Sequence, residues 1–449
     1  MLTTWTKAAQ ILFVCLFLTF LFGPGTSETK FLVKSGFRDF SNHPTYYEVA
    51  DAIDDDGNPI LDSNKTPLLL LNGFAMGTFY QRRLIHELLQ QEEHRGRRIF
   101  CVEYLGQGRS WPRNCKNGNG ASERGLRYCE QTWLEQILDF IQGSTVQTDK
   151  KSISRIHIVG NSIGGHLAVC VAASRPDLVE SICLLNATPF WGLNLPGWSG
   201  YLPVPKFCEK VAGLIYDQLS DLTNLKWLLG RAYANANEPI MESHLDSLAR
   251  NMRACTMHPG GRAAFASMLW SPPVAVPIFA LQSSDKDHDE QEPSYASFDE
   301  CFAMLQCNVL LLYGRQDPLC GPGFAKLMLQ KLEGQTHNHR PLSVHSARRY
   351  VELSPVGHCP NDEAPRAVAT LLTRWMKNPL ASLIVPSKMR TGDTPEKESV
   401  MEEWGEVFMQ ELEEPDISPS NGVDEVKMRF AQLKWVLDRL ISAARFSSQ

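Results

Sequence analysis

The run Ile156-His157-Ile158-Val159-Gly160-Asn161-Ser162-Ile163-Gly164-Gly165-His166 constrains this chain more than any other stretch. Its β-branched start suits a buried strand, and Leu167, Ala168, Val169, Val171 and Ala172 suit a helix that ends before Pro176. Between them Gly160-Asn161-Ser162-Ile163-Gly164 fits the G-x-S-x-G pattern of a nucleophile elbow. Small residues on either side let strand and helix approach, and the serine is left on a tight, exposed turn. A five-residue pattern also arises by chance, so its meaning depends on what the other strands deliver.

Further apolar runs alternate with helical stretches, as a mainly parallel sheet covered by helices requires. Leu68-Leu69-Leu70-Leu71 runs into the loop Asn72-Gly73-Phe74-Ala75-Met76-Gly77. Residues 98–103 lead to Tyr104-Leu105-Gly106-Gln107-Gly108-Arg109-Ser110, residues 308–313 to Gly314-Arg315-Gln316-Asp317-Pro318, and Tyr350-Val351-Glu352-Leu353 to Ser354-Pro355-Val356-Gly357-His358-Cys359-Pro360. Ser162, Asp317 and His358 thus each follow a strand, in the chain order Ser, Asp, His. That order belongs to the α/β-hydrolase fold, and loops beyond the carboxyl ends of parallel strands can converge on one site. A lone loop aspartate or histidine is usually only solvated, so the joint placement carries the inference.

The chemistry of ester cleavage assigns the roles. His358 is expected to take the Ser162 proton and pass it to the leaving alcohol, while Asp317 fixes the imidazole tautomer. The backbone N–H groups of Ile163 and Phe74 are the candidate oxyanion hole. If Asp317 does not orient the histidine, Asp285 or Asp287 is the substitute. His166, on the helix after the elbow, has no place in this scheme and reads as structural. No metal motif, phosphate loop or repeat occurs, so neither metal nor cofactor is expected.

Four segments together carry a family resemblance: Leu184-Leu185-Asn186-Ala187-Thr188-Pro189-Phe190-Trp191-Gly192, the elbow, Leu105–Ser110, and Ser354-Pro355-Val356-Gly357-His358-Cys359-Pro360-Asn361-Asp362-Glu363. Over roughly residues 45–378 the chain resembles pheophytinase and its relatives among the chlorophyll-dephytylating hydrolases. The triad motifs are generic to the wider superfamily; the first and last segments are more specific. The resemblance implies Ser162, Asp317 and His358 as the triad, a pigment such as pheophytin or chlorophyll as substrate, cleavage of its phytyl ester, and a plastid location. Stretches 283–299 and 334–348 look expanded against that pattern. Another hydrophobic ester, or a non-catalytic binding protein on the same fold, remains an alternative.

The rest of the chain is read around this core. With 449 residues, 43% hydrophobic, it can bury one large α/β core with additions, and a net charge of −6 offers no basic footprint for nucleic acid. Lys7 and the apolar run 11–22 suggest a signal segment over 1–27, hence entry through the endoplasmic reticulum, with a retained signal anchor as the alternative. The hydrolase core is expected over 31–191 and 301–378, interrupted by a helical cap and insertion over 192–300. There Phe207, Val211, Leu214, Ile215 and Leu219 recur at helical spacing among Trp198, Tyr201, Tyr216, Trp227 and Trp270, which suits an apolar substrate or the cap's own core. Residues 379–422 read as an acidic linker, and 423–449 as an amphipathic helix that docks on the body, lies on a membrane surface or meets a partner. Cys115 and Cys129 flank a Gly/Asn-rich loop and would pair only in an oxidising compartment.

Overall fold

A computed structural model of the protein describes residues 29–112, 125–143, 146, 155–190, 198–279, 294–333, 346–385 and 397–413. Cys115, Asp285, Asp287 and the stretches expected as a signal segment (1–27) and a C-terminal helix (423–449) lie outside these residues.

The centre is the sheet that the apolar runs anticipate. Strands β1 (Phe31–Phe40), β2 (His43–Ala52), β3 (Leu68–Leu71) and β4 (Ile99–Val102) precede β5 (Ile156–Asn161) and β6 (Val179–Leu185). A short pair, β7 (Val276–Ile278) and β8 (Ser294–Ala296), stands apart; β9 (Asn308–Gly314), β10 (Arg348–Ser354), β11 (Lys397–Met401) and β12 (Glu406–Leu412) complete the main sheet. Its order is β1-β2-β4-β3-β5-β6-β9-β10-β12-β11, with β4, β3, β5, β6, β9 and β10 parallel and both edges antiparallel. Leu68 to Leu71 are fully buried because β3 is covered on both faces, which is why it reads as an unbroken apolar run. Alternate residues feed opposite layers: Leu69 and Leu71 pack with Trp133, Ile137 and Leu167, and Leu68 and Leu70 with Leu84, Leu88 and Trp375.

Helices α1 (Arg82–Leu89), α2 (Glu130–Gln142) and α3 (Ile163–Ser174) lie between the early strands, and α3 is buried along its whole length. The insertion after β6 carries α4 (Lys206–Leu219), α5 (Leu222–Ala232), α6 (Pro239–Thr256) and α7 (Gly261–Leu269), followed by α8 (Phe298–Met304). The Asp221 carboxylate caps α5 by accepting the Thr223 and Asn224 N–H groups. Two of these helices form their own apolar cluster over the sheet, Leu225 and Leu229 meeting Met241, Leu245, Leu248 and, from the body, Tyr80 and Cys359. Helices α9 (Pro322–Glu333), α10 (Pro360–Glu363) and α11 (Pro365–Lys377) close the fold.

Two edge hairpins depart from the sequence reading. β1 and β2 pair across Ser41 and Asn42, both left-handed at φ 48° and 65°, as a two-residue hairpin turn needs. Lys34, Arg38 and Asp39 break the apolar pattern there, so the strand has no run to betray it. Part of the stretch read as an acidic linker is also sheet. β12 pairs with β10 and buries Val407 and Met409, while the charges of the hairpin have partners: Glu398 of β11 with Arg374 and Glu411 of β12 with Arg349. Charge that reads as solvated is paired once the sheet edge is present.

Glu402, at the turn between β11 and β12, accepts the Ala367 N–H at 2.9 Å through Oε1, while its buried Oε2 has no partner among the described residues. Burial pushes its carboxyl up to about 7. The folded state therefore holds a proton that the unfolded chain releases. The contribution is full below the ordinary carboxylate range and is lost as pH rises through about 7. Glu402→Gln keeps an acceptor and removes the ionisation. Thermal melts at pH 5 and pH 8 should show a smaller loss of Tm at the higher pH for the variant than for the parent chain.

Candidate active site

The elbow is built by close packing. A Cβ on Gly160 would overlap the Gly164 carbonyl, and one on Gly164 would lie 2.5 Å from the Leu71 carbonyl oxygen, so β5, β3 and α3 meet backbone to backbone. Ser162 stands at the junction with φ 55° and ψ −119°, a conformation rare for any residue with a side chain. Its backbone is held on both sides: its N–H donates to Leu185 O at 3.0 Å, and its carbonyl accepts from Gly165, His166 and Thr188. The side chain is half-buried.

Asp317 and His358 come together from the ends of β9 and β10, with Nδ1 of His358 2.8 Å from Oδ2 of Asp317. A carboxylate only accepts, so Nδ1 carries the proton and Nε2 of the neutral ring keeps its lone pair. Oδ2 also accepts from Asn186 Nδ2 at 2.7 Å, and Oδ1 from the Leu319 N–H at 2.7 Å. The Asp317 side chain is 0% exposed, so these three donors replace its hydration.

The histidine loop is tied to the elbow through Asn161. That residue donates through Nδ2 to the His358 carbonyl at 2.9 Å and to Leu185 O at 3.1 Å, while its Oδ1 accepts the Tyr80 hydroxyl at 2.9 Å. Asn161, Asn186 and Tyr80 were not singled out from the sequence. The available signal is position, since Asn161 is the last residue of buried β5 and Asn186 directly follows buried β6. The cap holds the same loop from above: His358 N–H donates to Ala232 O at 2.7 Å, and Tyr233 Oη and His244 Nε2 each lie 2.7 Å from an Asp362 oxygen. Glu363 accepts the Gly357 N–H at 2.6 Å and both Asn235 nitrogens at 2.9 Å, and burial lifts its carboxyl to about 7.

Phe74 belongs to the loop beside Ser162. A Cβ on its neighbour Gly73 would lie 3.7 Å from the Ser162 Cβ and 3.1 Å from Asn161 Oδ1. Ile163 opens α3, where a first-turn N–H has no carbonyl within the helix to meet. His166 is buried, stacked on Phe298 with ring centroids 3.7 Å apart, and 3.6 Å from Glu130, which is packing rather than chemistry. Asp317, Cys320 and His358 place ligand atoms within 4.8 Å of one another, but the first and last of these are already engaged with each other. Beside the Phe74 loop an apolar cleft lies between the loops that follow β3 and β4 and helices α4, α6 and α7, and Phe74, Gln107, Trp111, Tyr216, Phe265 and Met268 contribute to its walls.

A family model described as the alpha/beta hydrolase fold matches residues 66–365. The chain belongs to the alpha/beta hydrolase fold family. Within that family, the chloroplastic pheophytinase of Arabidopsis thaliana is 26% identical over 335 residues, 69% of this chain and 61% of that protein. A 2-hydroxy-6-oxononadienedioate/2-hydroxy-6-oxononatrienedioate hydrolase of Cupriavidus pinatubonensis is 30% identical over 156 residues, 34% of this chain and 46% of that one. Lipase 1 of Psychrobacter immobilis is 26% identical over 130 residues, 29% of this chain and 34% of that one. Each match spans less than two thirds of the relative's own length. The hydrolase-fold match begins just before β3 and ends at the start of α11, so it contains all three strand-end residues but neither edge hairpin.

Asn186 is the residue whose loss should isolate the acid's support. Asn186→Leu removes the donor to Asp317 Oδ2 and the acceptor for the Gly314 N–H at 2.8 Å. Hydrogen bonds to charged groups contribute about 1.5–3 kcal/mol, so kcat on an activated ester should fall roughly tenfold to a hundredfold, with KM little changed. Steady-state kinetics on the purified variant check this; unchanged kcat would mean that Asp317 needs no help to hold the ring.

Proposed function

We propose that this chain is a serine ester hydrolase that removes the phytyl chain from chlorophyll-type pigments. The observation that carries the hydrolase reading is the Asp317–His358 pair at 2.8 Å, with the His358 carbonyl anchored to Asn161, the residue immediately before Ser162. The pigment rests on the resemblance described above and on the similarity to the Arabidopsis protein.

In this reading Nε2 of His358 takes the hydroxyl proton as Ser162 Oγ attacks the ester carbonyl, and the Asp317 carboxylate stabilises the imidazolium that forms. The developing oxyanion receives hydrogen bonds from the backbone N–H groups of Ile163 and Phe74, each worth ~2.7–4 kcal/mol in a site of this type. The alcohol leaves with the proton from His358. An acyl group remains on Ser162 until water, activated by the same histidine, releases it. No step calls on a metal or cofactor. The cap keeps water from the apolar part of the substrate, as a phytyl chain and a flat macrocycle require.

A plastid location follows the same resemblance, and the leader over 1–27 would supply entry through the endoplasmic reticulum. Contact with the membrane that holds the pigment is assigned to residues 423–441, whose apolar positions recur at helical spacing beside Lys427, Arg429, Lys434 and Arg439. A second reading, hydrolysis of another hydrophobic ester, is favoured by the similarity to Lipase 1.

Incubation of the full chain with detergent-dispersed pheophytin a and chlorophyll a decides between them. Phytol and the dephytylated pigment should be released, and Ser162→Ala or His358→Ala should lower kcat by about 10⁴–10⁶ without loss of folding. Hydrolysis of long-chain glycerides or nitrophenyl esters with both pigments left intact would favour the second reading. Absence of all ester turnover would leave a binding protein.

A further inference from the structure

Gln107 is held more firmly than a surface turn requires. Its N–H donates to Tyr104 O at 2.9 Å, its carbonyl accepts from Ser110 at 3.0 Å, and the Gly106 N–H closes the turn on Ser110 O at 2.7 Å. The flanking glycines are left-handed, at φ 88° and 57°. Gly108 is pressed against Glu103, whose carboxylate is 0% exposed and takes both the Arg109 backbone N–H at 2.6 Å and its guanidinium at 2.7 Å. The residue at the tip of this turn is therefore preorganised.

The side chain divides its two polar atoms. Oε1 accepts the Ala75 N–H at 2.7 Å and so supports a loop residue that is itself left-handed at φ 61°. Because an N–H can only donate, the atom facing Ala75 is the oxygen, and the other terminal atom is the NH2. That nitrogen is buried, on a residue only 5% exposed, and has no hydrogen-bond partner among the described residues. Buried donors without partners are few in native proteins and need a reason. Gln107 and Ala75 both line the apolar cleft, where the other hydroxyls are engaged: Tyr216 donates to Thr256 O, and Thr256 to Arg253 O at 3.0 Å.

We propose that Gln107 is a substrate-binding residue whose Nε2 donates a hydrogen bond to a carbonyl oxygen of the apolar molecule lodged in this cleft. This deepens the ester-hydrolase reading and rests on it: the substrate carries a ketone or ester oxygen besides the scissile carbonyl. The bond is separate from the oxyanion hole, since Ser162 does not line the cleft and Oε1 is committed to the Phe74–Ala75 loop. Phe74, Trp111 and Phe265 supply apolar wall for the rest of the molecule around that one polar contact.

Binding of 9-fluorenone and fluorene, measured by equilibrium dialysis against the full chain, tests this without requiring catalysis. The two share a planar three-ring skeleton and differ by one carbonyl. The parent chain should bind the ketone about tenfold more tightly than the hydrocarbon. Gln107→Glu retains an acceptor for the Ala75 N–H but has no NH2, and should lose that preference; Gln107→Met, neutral and of similar size, should lose it too. Equal binding of the probes by the parent chain, binding of neither, or a preference that survives in both variants would overturn the proposal. A ketone preference in a chain that cleaves no ester would sink the hydrolase reading and leave Gln107 as a binding residue. Ester cleavage with no such preference would do the reverse.

Discussion

Ser162 occupies backbone space that its own side chain disfavours, and the molecule is arranged so that it has no alternative. A residue at φ 55° and ψ −119° costs on the order of 1–3 kcal/mol, which persists only where the surroundings over-determine it. Here the surroundings are Gly160 and Gly164, which admit no Cβ, and hydrogen bonds that fix the Ser162 N–H and carbonyl to β6 and its following loop. The strain serves a purpose. In the proposed mechanism that turn presents the hydroxyl beyond the carboxyl ends of the strands, where the loops after β9 and β10 bring Asp317 and His358 together.

The same economy governs the histidine loop. It touches the elbow through Asn161, the acid through Nδ1, and the cap through Ala232, Tyr233, Asn235 and His244. Cap and His358 loop are thus tied to each other by hydrogen bonds at several points. Gln107 provides the corresponding link on the other side, from the cleft wall to the Phe74–Ala75 loop.

Much of this was legible in the amino-acid sequence, for a physical reason. Parallel strands covered on both faces are apolar throughout, so β3, β5, β6, β9 and β10 stand out as runs, and the residues that follow them are where chemistry collects. The strands of the two outer hairpins lack that signature. β1 and β12 face solvent on one side and carry charges whose partners, Asp139 for Arg38 and Arg349 for Glu411, lie far away in sequence. Residues 397–412 form strands rather than an acidic linker because Glu398 and Glu411 are each half of an ion pair, so their charge does not signal solvation. Asn161, Asn186 and Gln107 were illegible for a related reason: an amide declares its role only when its two ends have found their partners.

The central claim is that Ser162 is a nucleophile activated by the His358–Asp317 pair. Reaction with a fluorophosphonate ester, followed by peptide mass mapping, tests it most directly, because the reagent traps an activated serine at the phosphorus without regard to the natural substrate. The account predicts stoichiometric modification of the peptide bearing Ser162, slowed by several orders of magnitude in His358→Ala. Label carried by any other residue, or a rate unchanged by loss of His358, would contradict it.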